Sequence, residues 1–209
     1  MADAAELRMA WGRHIGDGPA ELAALDDVVA RHRQPHRRYH GVRHVTWVVR
    51  HVLELTAERP VGDLGAVVAA AFFHDALYEP RASDNEARSA VLAVRVLTEL
   101  GWGRTRAAAV AAMIHATATH EAPADAETAV LLDADLAVLG AEPNAYQAYV
   151  AGIRAEYGHL DTAEWRHGRT RVLERLLAAD PLYATDAARG RWAARARANL
   201  TAELATLGD

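Results

Sequence analysis

The ten residues from Leu64 to Phe73, LGAVVAAAFF, carry no polar side chain on any face. A helix that is apolar all round sits inside a protein, so the rest of the chain must wrap around this one. His74 and Asp75 follow directly, so the segment ends by delivering two ionisable groups into a buried setting. An isolated ionised carboxylate there is costly, and the aspartate must be paired, protonated or bound to a metal. The plainer alternative is a helix end with His74 on a carbonyl and Asp75 paired with an arginine.

The remaining sequence supplies helices to do the wrapping. Of 209 residues, 51% are hydrophobic and 24% charged, a globular balance rather than a disordered one. Strand-type alternation, Asn-Gly or Asp-Gly hairpin signals, repeats, and GxGxxG, P-loop or GxSxG motifs are all missing. Helices are expected over about Ala4–His14, Pro19–Arg33, Val42–Ala57 and Leu64–Ala76, the last capped by Asp63. A fifth follows a capping box of Ser83 with Glu86 and runs to about Leu100. Later ones span about Thr105–Thr117 and Ala126–Leu139; an eighth, capped by Asn144 with Gln147, runs to about Tyr157, a ninth, capped by Asp161 with Glu164, to about Ala178, and a tenth over Asp186–Leu204. The expectation is one all-α domain over residues 1–209, a bundle of about ten helices.

Composition removes several kinds of chemistry. Cysteine is absent, which excludes disulfides, thiolate nucleophiles and Cys-ligated metal sites. Every basic side chain other than histidine is an arginine, so Schiff-base and P-loop lysines are excluded too. A net charge of −5 argues against a nucleic-acid binder. The N-terminal segment lacks the apolar run of a signal peptide. The longest uncharged stretch, Ala107–His120, is shorter than the ~20 residues of a membrane span. A cytoplasmic protein without a membrane partner is expected; oligomeric state is not legible.

Two further segments carry chemistry. His44, Val48, Val52 and Leu55 share one helical face, which turns His44 toward the core. His40 lies four residues earlier, an HxxxH spacing used by metal sites, but Gly41 places it before the helix proper. The apolar run from Val130 to Leu139 is interrupted by Asp133 and Asp135. Residues two apart on a helix differ by roughly 200°, so only one of them readily reaches a site between helices. Asp135, which sits with Leu131, Leu132, Val138 and Leu139, is the expected one. Two imidazoles and two carboxylates from three apolar helices suit a divalent ion such as Mn, Fe, Mg, Co, Ni or Zn.

The ordered set RYHGVRH (38–44), FHDALY (73–78), DNEARS (84–89), His115 through His120, DADLAVLG (133–140), IRAEY (153–157) and ARANL (196–200) resembles the HD superfamily of metal-dependent phosphohydrolases. Within it, the likeness is to a bacterial subfamily of predicted HD-domain phosphohydrolases. The resemblance runs from about residue 10 to 205. It implies an HD-type helical bundle and a divalent metal held by His44, His74, Asp75 and Asp135. It further implies hydrolysis of a small phosphomonoester, nucleotide or phosphodiester by a metal-activated water. Asp75 or His115 would then move a proton, and His115 and His120 would serve a second metal or a substrate phosphate. Some relatives place acidic residues just after the His-Asp pair; here Glu79 alone occupies such a position. Asp84 is a candidate lining residue, and Arg154 and Arg197 are candidate phosphate clamps by charge and fork geometry. A metal- or ligand-binding module without turnover, and a di-iron oxygenase using His115 and His120 as added ligands, are the alternatives.

Overall fold

The computed structural model describes residues 2–121, 123 and 125–208. They form ten α-helices and one 3-10 helix, and no strand occurs among the described residues. The helices are α1 Ala2–His14, α2 Pro19–His32, α3 Val42–Glu58, α4 Leu64–Phe73, α5 Asn85–Glu99, α6 Arg104–Ala116, α7 Ala126–Asp135, α8 Pro143–Glu156, α9 Thr162–Ala178 and α10 Asp186–Gly208. The 3-10 helix, Leu136–Gly140, continues directly from α7. The all-helical expectation holds.

Helix α4 is the centre of the bundle. Every residue from Ala66 to Phe73 is buried, and α1, α3, α5, α6 and α7 all pack on it. Burial of a Val or Phe side chain stabilises by about 1.5–3 kcal/mol, so this segment anchors the core. Asp63 caps it by accepting from the Ala66 N–H at 3.0 Å, and a fork from Arg106 holds that carboxylate at 2.6 and 2.8 Å. Helix α3 turns Val45, Val48, Val49, Val52 and Leu55 inward. Helices α9 and α10 pack together, and α10 clamps the 3-10 helix.

Several boundaries differ from expectation, among them α7, which stops at Asp135 where the 3-10 helix takes over. Helix α4 stops at Phe73, with His74 closing its last turn, so the His-Asp pair sits at a helix end rather than within one. The Ser83–Glu86 capping box does not form: Asp84 flanks α5 without a side-chain cap. The Asn85 amide ties the preceding loop to the helix through the N–H and C=O of Glu79, both at 3.0 Å. Helix α8 starts at Pro143 rather than being capped by Asn144, because proline suits a first helical position. The Asp161–Glu164 capping box of α9 forms in both directions.

Candidate metal centre

Three helix ends bring the chemistry together. His44 projects from the first turn of α3, His74 and Asp75 leave the end of α4, and Asp135 is the last residue of α7. His44 Nε2 lies 3.1 Å from His74 Nε2. Asp75 Oδ2 lies 3.3 Å from the former and 3.2 Å from the latter. Asp135 Oδ1 lies 3.3 Å from His44 Nε2 and 3.5 Å from His74 Nε2. His44, His74 and Asp75 are buried and can hold a metal ion. Donors about 2.0–2.2 Å from a shared ion stand roughly 3.0–3.5 Å from one another, which is the spacing found. Two neutral imidazoles and two carboxylates would also balance a divalent charge.

The surroundings pre-orient these donors. His74 Nδ1 faces the Ala71 carbonyl at 3.0 Å; a proton there leaves the Nε2 lone pair turned to the cluster, as a ligand histidine requires. Arg37 fixes the turn carrying Asp75. Its guanidinium donates to the carbonyls of Asp75 at 2.6 Å, His40 at 2.9 Å and Ala76 at 3.1 Å. The arginine thus holds the backbone of Asp75 and leaves its carboxylate to the histidines. His44 Nδ1, by contrast, is buried without a partner, an arrangement that costs about 1–3 kcal/mol.

Electrostatics follow from that geometry. Burial alone would raise the Asp75 and Asp135 carboxyls, but His74 outweighs it, with help from His40 and His44 at Asp75 and from His120 and His44 at Asp135. Both carboxyls end well below their ordinary range. Burial alone would lower the two imidazoles; Asp75 and Asp135 reverse this, raising His44 and lifting His74 well above the usual value. The imidazoles and carboxylates of the cluster thus each favour the other's charged form.

A cavity of about 200 Å³ opens at the cluster, and Tyr39, His40, Glu86, His120 and Arg175 also line it. No family model, curated protein or solved structure matches this chain.

Of the residues singled out in the sequence, His44, His74, Asp75, Asp135 and His120 come together. His120 Nε2 lies 2.9 Å from Asp135 Oδ2, and its backbone φ of 51° is one that non-glycine residues rarely adopt. The others go elsewhere. His115 is exposed and faces Val91, Val94 and Arg95 of α5, which removes it both as a proton carrier and as a second-metal ligand. Glu79 is exposed, and Asn85 secures only its backbone. Asp84 is exposed, 3.8 Å from Arg88. Arg154 is spent on the carbonyls of Tyr157 at 2.9 Å and Leu160 at 3.3 Å, where it closes the end of α8 and lies over Trp165. Arg197 binds the carbonyls of Leu177 and Ala179, both at 3.1 Å. Asp133 serves another helix: it accepts the N–H groups of Ala184 at 2.8 Å and Thr185 at 2.7 Å, just ahead of α10.

The sequence reading missed the supporting groups. Buried Glu156 accepts the N–H groups of Arg38 and Tyr39 at 2.7 Å and of His40 at 3.0 Å, the His40 Nδ1 proton at 2.6 Å and the Tyr78 hydroxyl at 2.9 Å. It thereby fixes the loop entering α3 and the imidazole of His40. The HxxxH spacing points to His40, but nothing local in the sequence links it to a glutamate 116 positions on.

Proposed function

We propose that this protein is a metal-dependent phosphohydrolase of the HD type, acting on a small phosphate ester. The observation that carries the reading is the convergence of two imidazole nitrogens and two carboxylate oxygens within 3.1–3.5 Å from the ends of three helices. The ordered motifs that resemble the HD superfamily support it, because their four expected ligands are the four that converge.

His44, His74, Asp75 and Asp135 would hold the ion. Bound there, a divalent cation supplies Lewis acidity and a water of lowered pKa. His120 fixes the outer oxygen of Asp135 and so keeps the inner one turned to the histidines. His40, its Nδ1 proton on Glu156, presents its other edge to the cavity and is placed to exchange a proton with a substrate oxygen. Arg175, exposed at the cavity, is the cation available to a phosphoryl group, taking the part expected of Arg154 or Arg197. Glu86 replaces Glu79 as the acidic group at the site.

The test is hydrolysis of a panel of phosphate esters by chelator-treated protein, read as phosphate release from phosphomonoesters and nucleotides and as alcohol release from phosphodiesters, with Mn, Fe, Mg, Co, Ni and Zn added back singly. Metal-restored turnover that is lost in Asp75→Ala and reduced in His40→Gln supports the reading. A fully metal-loaded protein that hydrolyses no member of the panel overturns it.

A further inference from the structure

A second cavity, of about 180 Å³, shares Tyr39, His44, Val138 and Tyr149 with the cavity at the cluster. Its remaining wall comes from Arg38, Arg43, Trp47, Ala141, Ala145 and Ala148. Two guanidinium groups therefore meet three aromatic rings and a floor of small apolar side chains, and no carboxylate lines the space.

Acidic residues outnumber arginines, 28 to 23, and several arginines here grip a carboxylate or a carbonyl. Among the described residues, the side chains of Arg38 and Arg43 make no hydrogen bond and no ion pair. Two cations sharing one small space repel unless an anion lies with them. Their placement is also fixed from below. The backbone of Arg38 is tied to Glu156 at 2.7 Å, and Gly152 of α8 comes so close to this loop that a Cβ there would lie 3.1 Å from Tyr39 Cβ. Arg43 stands in the first turn of α3, next to the buried His44. An arginine fork on a held backbone binds a carboxylate or phosphate with less ordering than a free side chain requires.

We propose that this cavity binds a small organic anion with a flat apolar body, the charge held by Arg38 and Arg43 and the body laid against Trp47 and Tyr39. The volume suits about one ring and its charged group. Aromatic walls select the flat body, and guanidinium groups select the anion. Because His44 belongs to both cavities, the occupant is the non-reacting end of the substrate; that placement rests on the hydrolytic reading, whereas the binding does not.

The experiment is calorimetric titration of chelator-treated protein with phenylphosphonate, methylphosphonate and benzyl alcohol, none of which requires turnover or metal. Phenylphosphonate is expected to bind saturably and at least about tenfold more tightly than the other two. Arg38→Gln and Arg43→Gln, both at exposed positions, are each expected to weaken it roughly tenfold with helical content unchanged. Ala145→Trp fills the cavity from an exposed position and is expected to abolish binding. Failure of phenylphosphonate to bind the parent, equal binding of methylphosphonate, or undiminished binding in the two arginine variants or in Ala145→Trp overturns the proposal. Failure of the metal-loaded protein to hydrolyse any phosphate ester of the panel would sink the hydrolytic reading and leave these binding results standing.

Discussion

Asp133 and Asp135 stand two residues apart on α7 and serve opposite sides of it: Asp133 accepts the N–H groups of Ala184 and Thr185, while Asp135 reaches His44, His74 and His120. The helical rotation of roughly 200° between them makes the division unavoidable. Burial pushes the Asp133 carboxyl up, against the pull of Thr185 and Ala184, so its work is to satisfy buried N–H groups at the approach to α10. Asp135→Asn should lose bound metal while keeping the fold. Asp133→Asn should keep metal and lose about 1–3 kcal/mol of stability. Metal content and urea midpoints of the two purified variants decide this, and the reverse ranking contradicts it.

Glu156 sets an acid limit on the fold. Burial works against its charge, but the His40 contact and the N–H groups of Tyr39 and His40 outweigh it and bring its pKa down to about 2 from 4.5. A carboxyl whose folded pKa is depressed contributes fully above its unfolded value and loses that contribution as pH falls. Stability should therefore decline between about pH 4.5 and 2, by an amount on the order of 3 kcal/mol. Urea unfolding followed across that range checks it. Glu156→Gln should be less stable at neutral pH and should lack this component of the acid decline; an unchanged pH profile in the variant refutes the assignment.

The 3-10 helix depends on one missing side chain. A Cβ on Gly140 would lie 2.8 Å from Trp192 Cα and 2.9 Å from Trp192 O, backbone atoms that cannot step aside alone. Gly140→Ala should push α10 from the 3-10 helix and cost about 1–3 kcal/mol. A thermal midpoint equal to that of the parent would show that α10 is not seated as described.

Much of this architecture can be read from the chain because its signals are local. The uninterrupted apolar run of α4, the helical spacing of valines in α3 and the Asp161–Glu164 cap each depend on residues within a few positions. The four converging donors were legible for a related reason: a charged group set in an apolar helix has few acceptable surroundings. What escaped was set by distance along the chain. Glu156 meets His40 across 116 positions, and Arg37 reaches the Asp75 carbonyl across 38. Arg154 and Arg197 carry the right charge for a phosphate, yet helix-end carbonyls claim them, a competition that composition does not reveal. His115 follows an uncharged helix, but its position on that helix faces outward.

The central claim is that His44, His74, Asp75 and Asp135 form one metal site, and calorimetric titration of chelator-treated protein with Mn²⁺, Fe²⁺, Mg²⁺, Co²⁺, Ni²⁺ and Zn²⁺ tests it most directly. The account predicts that at least one of these ions binds the parent at one per chain through this cluster. It also predicts that His44→Ala, His74→Ala, Asp75→Ala and Asp135→Ala, each shown to remain helical, bind that ion more than about 100-fold more weakly, beyond the 10–100-fold typical of a supporting residue. A parent that binds none of these ions, or His44→Ala and Asp75→Ala variants that bind as tightly as the parent, would contradict it.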